Sequence, residues 1–165
     1  MDYLWTPWRY QYVANLDKKL GGKDDRCIFC DAVAANDDAR TLIVFRGAKS
    51  FIILNQYPYT SGHSMVVPYA HEADLGAVDA ATLTEMMQLA QRLQRAFAAN
   101  YSPQGYNLGM NLGRCAGAGV ASHLHLHILP RWPGDSSFMT TVAETRVHPE
   151  ELSVTYEKLR KALAG

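Results

Sequence analysis

Histidine and leucine alternate between His123 and His127, and the aliphatic Ile128 continues the pattern. Successive side chains of a β-strand point to opposite faces, so the alternation predicts a strand with three imidazoles on one face and an aliphatic core on the other. A polar strand facing solvent would also tolerate histidine, but half of the chain's six histidines lie in this segment. Imidazole titrates near neutral pH and acts as base, nucleophile or metal ligand, which makes the segment the first candidate for a functional site.

The bulk composition is that of an ordinary globular protein. At 165 residues, with 48% hydrophobic and 19% charged residues, the chain is expected to form one domain whose core needs no disulfide support. Its formal net charge is zero at pH 7, which argues against a broad surface for nucleic acid or an anionic membrane. The start lacks the pattern of a signal peptide, and no apolar run approaches the ~20 residues of a membrane span. We expect a cytoplasmic protein that binds neither nucleic acid nor a membrane.

Several segments have the composition of β-strands. Segments 41–45 and 51–54 are rich in β-branched and aromatic residues and are separated by a glycine-containing turn, which predicts a hairpin. Further strands are expected at 63–68, at 106–112 and in the histidine segment.

Apolar residues recur at helical spacing from about residue 79 to residue 100 and predict one long helix. Met86 and Met87 are expected to fill the core, and Thr82 with Glu85 to form a capping box at the helix start. Shorter helices are expected after Pro7, after Cys30 and from 149 to 164. Because strands dominate the middle of the chain and helices surround them, the pattern indicates an α+β fold with an antiparallel sheet.

A glycine-rich loop, residues 113–119, leads into the histidine segment. Glycines let the backbone approach a ligand closely and present N–H groups to an anion. Such a loop alone is often only a turn, but beside three histidines it predicts a phosphate cradle. Asn111 would add a polar contact to the same phosphate.

Cys27 and Cys30 form a Cys-x-x-Cys pair, and Cys115 is the third cysteine. In a cytosolic chain this spacing favours metal or redox chemistry over a structural disulfide. Zinc usually takes four ligands, of which the pair would supply two. A pair of buried thiols without metal stays open. A thioredoxin-like redox motif is less favoured, because no βαβ pattern follows.

The histidine segment with its continuation to Arg131 resembles the signature of the histidine triad (HIT) superfamily, which comprises nucleotide hydrolases and nucleotidyl transferases. Other elements of that family stand in the usual order: Cys27–Cys30, the strand ending in Asn55, the Gly62-His63 step and the spacing from Pro68 to His71. Two segments are similar to the diadenosine tetraphosphate phosphorylase-like branch of the family: Leu4–Pro7 and Pro130–Asp135.

The resemblance implies a HIT-like α+β fold with about five antiparallel strands, one long helix and a C-terminal helix. We expect a single HIT domain over residues 1–165. It would consist of an N-terminal extension (1–25), a core (26–132) and a C-terminal tail with its helix (133–165).

The resemblance also implies catalytic roles within the triad formed by His123, His125 and His127. His125 corresponds to the nucleophile, which would attack the α-phosphorus of a nucleotide and form a covalent nucleotidyl-histidine. His127 would donate to a phosphate oxygen or near the leaving group. No catalytic metal is required in this family.

In zinc-containing relatives, the further zinc ligands match His71 and His123, so the implied set is Cys27, Cys30, His71 and His123. A closed Cys2His2 site of this kind is structural. It would tie the N-terminal turn to the sheet and hold one end of the catalytic strand.

Substrate contacts follow from the same resemblance. Asn55 stands at the ribose position, and the amides of Gly119 and Val120 are expected to replace a hydroxyl common in the family, because Ser122 should point away from the site. Phe29 and Phe51 would either hold a purine or fill the core. Arg131 would pair with distal phosphates or remain a solvated charge, and Trp132 would stack on a base or contact a second subunit. The expected substrate-binding residues are Asn55, Asn111, Gly117, Ala118, Gly119, Val120, Arg131 and Trp132.

The resemblance favours an enzyme that cleaves dinucleoside polyphosphates, such as diadenosine tetraphosphate, at the α-phosphate. Phosphorolysis with inorganic phosphate is favoured over hydrolysis. The alternatives are a hydrolase of adenosine phosphoramidates or other AMP conjugates, and a zinc-bearing nucleotide-binding module with little turnover; a thiol redox protein would leave the triad unexplained. The family suggests a homodimer, to which the aromatic residues between Tyr3 and Tyr12 could contribute.

Overall fold

The computed structural model describes residues 27–135 and 150–164. The helix expected after Pro7, the extension 1–25 and its aromatic residues lie outside the described residues. Within the described ranges, no helix is both long and apolar enough to cross a membrane. The helices are α1 (Ile28–Ala34), α2 (Asp38–Thr41), α3 (Ala80–Tyr101) and α4 (Leu152–Ala164), with 3-10 turns at Leu75–Ala77 and Arg114–Ala116. The strands are β1 (Ile43–Arg46), β2 (Ser50–Leu54), β3 (Ser64–Pro68), β4 (Gly105–Gly109) and β5 (Leu126–Arg131).

The strands of the described ranges form one five-stranded sheet in the order β1-β2-β3-β5-β4, and every neighbouring pair is antiparallel. The expected α+β class and the hairpin of β1 and β2 are confirmed. Strand β3 brings its first residues beside the middle of β5, with Ser64 opposite Ile128. This pairing places the loop before β3 next to the histidine segment.

Apolar side chains cover both faces of the sheet because the strands alternate between two clusters. On one face, α3 and α4 pack on a core that includes Leu93, Phe97 and Leu159, all fully buried. On the other face, α1 packs through Phe29 against a second cluster that includes Val67. The histidines share the face covered by α1, since Leu124, Leu126 and Ile128 enter the core under α3.

Helix α3 starts with a different cap from the expected one. The carboxylate of Asp79 accepts a hydrogen bond from the amide of Thr82 at 3.0 Å, so Asp79 is the N-cap and the capping box at Thr82 is wrong. Glu85 reaches instead to the hairpin turn, where it accepts hydrogen bonds from the amides of Ala48 at 2.8 Å and Lys49 at 2.6 Å. The acidic residue of the expected box therefore joins the helix to the β1–β2 turn.

Only one of the paired methionines fills the core. Met86 is 1% exposed, whereas Met87 is 51% exposed. Adjacent residues of a helix point about 100° apart, so one of two neighbours faces the sheet and the other turns towards solvent.

The histidine segment is only partly a strand. Strand β5 begins at Leu126, because the amide of Leu124 donates to the carbonyl of Glu72 at 2.6 Å rather than to a neighbouring strand. The expectation that all three histidines lie on one strand is therefore wrong for His123 and His125, although the alternation of faces holds. Strand β4 likewise ends at Gly109, three residues before the predicted end.

Candidate catalytic site and metal centre

The triad side chains form a row along one face of the sheet. The ring centroids of His125 and His127 are 4.8 Å apart. Phe29 of α1 covers the row from one side, with centroid distances of 5.4 Å to His123 and 5.2 Å to His125. Phe29 and Phe51 are buried in the second core cluster, which supports the core interpretation of both rings rather than a purine site.

The hydrogen bond of His125 determines which of its nitrogens is available. Its Nδ1 lies 2.8 Å from the carbonyl oxygen of His123. A carbonyl only accepts, so Nδ1 carries the proton and donates, and Nε2 of the neutral ring keeps its lone pair. Burial lowers the pKa of His125, and the hydrogen bond to His123 opposes this effect. The residue as a whole is 5% exposed. It is therefore arranged as a neutral nucleophile or base.

His127 belongs to a second chain of hydrogen bonds. The amide of Tyr59 donates to Nδ1 of His63 at 3.1 Å, so a neutral His63 carries its proton on Nε2. That Nε2 lies 2.9 Å from Nδ1 of His127 and donates to it, which leaves the proton of a neutral His127 on its own Nε2. Burial lowers the pKa of His127 to about 4, with a smaller effect from the neighbouring His125. His127 is therefore a neutral donor at pH 7.

His63 is a site residue that the sequence patterns did not single out beyond the Gly62-His63 step. It is 1% exposed and in direct contact with the triad. The Gly62-His63 step was the available signal: Gly62 has a φ of 79°, and a Cβ there would lie 3.0 Å from Cε1 of Phe97. Only glycine fits this turn, which carries the next residue into the site.

Four side chains at the other end of the row could hold a metal ion. The Nδ1 atom of His123 lies 3.2 Å from the sulfur of Cys27 and 3.7 Å from that of Cys30, and Nδ1 of His71 lies 3.4 Å from the sulfur of Cys30. All four ligand atoms lie within 4.8 Å of one another. Bond lengths of ~2.0–2.3 Å put the ligands of tetrahedral zinc roughly 3.3–3.8 Å apart, close to these three sulfur–nitrogen distances, and two thiols with two imidazoles are a donor set typical of zinc.

The hydrogen bonding of the cluster is also that of a metal site. Nε2 of His123 donates to the carbonyl of Pro68 at 2.9 Å, which leaves the lone pair of Nδ1 directed at the sulfurs. Burial and the neighbouring Cys27 raise the pKa of the Cys30 thiol. A bound cation would offset this cost of ionising the thiols, because it stabilises thiolate ligands. The three thiols of the chain are free.

The glycine-rich loop is ordered around its 3-10 turn. Gly113 and Gly117 have positive φ angles of 80° and 87°. The amides of Gly117 and Ala118 donate to the carbonyls of Arg114 and Gly113, whereas the amides of Gly119 and Val120 have no acceptor within the described part of the chain. Those two amides are the ones that a bound anion could use. Ser122 is exposed, and Asn111 is half-buried at the start of the loop.

Asn55 is built into the loop between β2 and β3. Its Oδ1 accepts from the amide of Tyr57 at 2.9 Å, and its Nδ2 lies 3.3 Å from Nδ1 of His63. Both contacts hold the loop against the site. A ribose contact by Asn55 stays a prediction.

Arg131 and Trp132 contact groups of the protein itself. Arg131 forms a bidentate ion pair with Asp135, at 2.5 and 2.7 Å, and donates to Oδ1 of Asn107 at 2.5 Å. The indole of Trp132 donates to the carbonyl of Tyr101 at the end of α3, at 3.1 Å. These contacts give both side chains a role in the fold, and their contacts with substrate stay predictions.

Comparison with known proteins agrees with this geometry. The family model described as "HIT domain" matches residues 36–134. An AP-4-A phosphorylase of Mycobacterium tuberculosis is 36% identical over 160 residues, which are 94% of this chain and 80% of that protein. An adenosine 5′-monophosphoramidase of Saccharomyces cerevisiae is 27% identical over 142 residues, covering 86% of this chain and 85% of the relative.

Solved structures share the fold. The crystal structure of a zinc-bound histidine triad family protein from Mycobacterium smegmatis superposes with a TM-score of 0.68 and 33% identity, over 84% of this chain and 93% of that chain.

Proposed function

The chain belongs to the HIT domain family, and from this premise we propose that it is an enzyme that cleaves dinucleoside polyphosphates such as diadenosine tetraphosphate by phosphorolysis. The observation that carries the proposal is the orientation of His125. Its Nδ1 donates to the carbonyl of His123, so the lone pair of the neutral ring is on Nε2, where it can act as a nucleophile. The similarity to an AP-4-A phosphorylase over 94% of the chain supports the substrate class.

The first step transfers an adenylyl group to the protein. The lone pair on Nε2 of His125 attacks the α-phosphorus, and a phosphorus–nitrogen bond forms. The bond from that phosphorus to the bridging oxygen breaks, and ATP departs with the bonding electron pair. The ring becomes positively charged in this intermediate, and the carbonyl of His123 stabilises that charge through Nδ1–H.

Fixed donors stabilise the charge that develops on phosphate oxygens. Nε2–H of His127 is held towards the leaving group by its bond to His63. We assign the amides of Gly119 and Val120 to the non-bridging oxygens, with Gly117, Ala118 and Asn111 shaping the loop around them. Asn55 would contact the ribose. Arg131 would pair with distal phosphates and Trp132 would stack on a base, in addition to the contacts of their polar groups with Asp135 and Tyr101.

The second step regenerates the enzyme. An oxygen of inorganic phosphate attacks the same phosphorus, the phosphorus–nitrogen bond breaks, and ADP leaves while His125 returns to its neutral form. The products from diadenosine tetraphosphate are therefore ADP and ATP. Attack by water instead would give AMP and ATP.

We assign zinc to Cys27, Cys30, His71 and His123, as a structural ion. It would cross-link the start of α1 to the residues that precede β5, and no chemical step passes through it. Free thiols poised for metal binding suit a reducing compartment, so we place the protein in the cytoplasm.

We also propose a homodimer. Strand β4 is at the edge of the described sheet, and Leu108 on it is 47% exposed, with Leu112 beyond it at 46%. An open strand edge with exposed apolar side chains suits pairing with a second copy. Analytical ultracentrifugation should give twice the chain mass, and Leu108→Lys should shift the equilibrium to monomers. A monomeric wild-type protein at micromolar concentration would refute the dimer.

The runner-up function is hydrolysis of adenosine phosphoramidates or other AMP conjugates, which the similarity to a yeast adenosine 5′-monophosphoramidase favours. It uses the same intermediate on His125. A nucleotide-binding module with little turnover is a weaker candidate, because it would not need the neutral Nε2 of that residue.

Product analysis separates these functions. Purified protein is incubated with diadenosine tetraphosphate, with and without inorganic phosphate, and the nucleotides are separated by chromatography. ADP and ATP formed only with phosphate are the expected result. AMP and ATP in both samples would indicate hydrolysis. In a parallel incubation with adenosine phosphoramidate, turnover of that compound alone, to AMP, would indicate the runner-up. No turnover of either compound would indicate a binding module.

A further inference from the structure

Tyr59 lies at the end of the imidazole row, in the loop between β2 and β3. Its ring centroid is 4.5 Å from that of His63 and 6.2 Å from that of His127, and it is inclined by only 29° to the latter ring. At the same time 46% of the residue is exposed. An aromatic ring thus extends the row from the buried triad to the surface.

The position of this ring is determined by the main chain. The amide of Tyr59 donates to Nδ1 of His63, so the residue is anchored to the site at the backbone and at the ring. Tyr57, two residues earlier, is 77% exposed, and within the described residues its ring contacts none of the imidazoles. The two tyrosines therefore differ in exposure and in their contacts with the imidazoles, although they lie in the same loop.

The sequence of ring contacts from His125 through His127 to Tyr59 indicates which part of a substrate could meet Tyr59. The adenylyl group is bonded to His125 during turnover, and the rings that contact His125 are those of Phe29 and His127. Tyr59 lies one ring further, against His127 and His63, which is the side assigned to the leaving group. Under the proposed mechanism, a leaving group that extends past His127 along this row would meet the ring of Tyr59 next.

The chemistry of the ring indicates what it would bind. A phenol is uncharged and offers no cation to a polyphosphate, but every nucleobase has an aromatic face that stacks on such a ring. In a dinucleoside polyphosphate the leaving group itself ends in a nucleoside. A simple phosphate leaving group has no such face.

We propose that Tyr59 is a specificity-determining residue that stacks against the base of the leaving nucleotide. The enzyme would thereby prefer dinucleoside polyphosphates to mononucleoside polyphosphates that carry the same adenylyl group. This inference rests on the proposed function and deepens it, because it assigns a site to the second nucleoside.

The test compares diadenosine tetraphosphate with adenosine 5′-tetraphosphate. Both present the same adenylyl group to His125, but the second substrate releases triphosphate, which has no base. Tyr59→Leu keeps apolar bulk against His63 and removes the aromatic face, whereas Tyr59→Phe keeps that face. Tyr57→Leu is the matched control on the same loop.

We expect Tyr59→Leu to lower kcat/KM for diadenosine tetraphosphate about tenfold, mainly through KM, and to leave kcat/KM for adenosine 5′-tetraphosphate within about twofold. Tyr59→Phe and Tyr57→Leu should match the wild type on both substrates. An equal loss on both substrates would overturn the inference, since it would mean that Tyr59 acts only by packing on His63. Unchanged kinetics on both would overturn it as well.

Failure of the proposed function gives a different result. If the wild type hydrolyses diadenosine tetraphosphate instead, the same kinetic comparison applies. If it turns over neither compound, calorimetric titration of the wild type and Tyr59→Leu with both compounds still measures stacking. Weaker binding of the dinucleotide alone would support the role of Tyr59, and equal binding of both proteins to both compounds would refute it.

Discussion

The carbonyl oxygen of His123 accepts a hydrogen bond from Nδ1 of His125 at 2.8 Å, while the ring of the same His123 directs its Nδ1 at the sulfur of Cys27 at 3.2 Å. One residue therefore belongs to the metal-binding cluster through its side chain and orients the proposed nucleophile through its main chain. The two sites are linked through this residue.

Replacing the nucleophile should abolish turnover without unfolding the protein. We expect His125→Ala to lower kcat by roughly 10³-fold or more, because no other group of the site can form the covalent intermediate. Mass spectrometry of quenched wild-type reactions should find an adenylyl group on the peptide that contains His125, and none in the variant. Cys115→Ser, a change at an exposed residue of the glycine-rich loop, should behave like the wild type. Near-normal activity of His125→Ala would refute the mechanism.

Removal of the metal should affect stability and turnover together. Elemental analysis of the purified protein should find about one zinc ion per chain. Cys30→Ser should lose the ion and about 2 kcal/mol or more of stability, which lowers the melting temperature by roughly 5 °C in a chain of this size.

Because the carbonyl of His123 holds His125, kcat of Cys30→Ser should fall more than KM changes. Cys115→Ser again serves as the control, since it removes a thiol outside the cluster. Full zinc content in Cys30→Ser, or a wild type purified mildly with substoichiometric zinc, would contradict the assignment.

The hydrogen bond from His63 to His127 should matter for the chemical step. His63→Phe preserves a ring against Tyr59 but removes the donor to Nδ1 of His127. Without it, Nε2 of His127 is no longer held as the protonated nitrogen, and we expect kcat to fall roughly 10- to 100-fold with little change in KM. Steady-state kinetics test this, and an unchanged kcat would show that His63 only fills space.

Acid should destabilise the protein in a defined range of pH. Burial lowers the pKa of His127 from 6.5 to about 4 in the folded protein. Between these values the unfolded chain binds a proton that the folded chain does not, so the free energy of unfolding falls as the pH is lowered from about 6.5 to about 4.

For this half-buried ring, the loss should be about 1–2 kcal/mol after allowance for solvent screening. Urea unfolding of the wild type and His127→Asn at several pH values isolates the effect, because both proteins share the metal-binding cluster. The difference in stability between them should shrink as the pH falls. A difference that is independent of pH would refute the lowered pKa of His127.

Local patterns in the sequence were sufficient for the fold class and for much of the candidate site. The alternation from His123 to His127 predicted which side chains share a face, and the burial of Leu124 and Leu126 agrees with it. This succeeds because side-chain direction in an extended chain depends only on position along that chain. The Cys27–Cys30 spacing similarly favoured metal or redox chemistry without any knowledge of the tertiary contacts.

The partners of these residues were decided by the tertiary structure. His63 and His127 are 64 residues apart in sequence and meet because β3 pairs with β5 in one register. Glu85 faces the β1–β2 turn instead of its own helix start, and Arg131 has its guanidinium bound by Asp135 and Asn107. The sequence by itself determined which chemical groups the protein carries and which faces they occupy. Only strand pairing and helix packing decided which atoms come within hydrogen-bonding distance, because those contacts join segments that no local period relates.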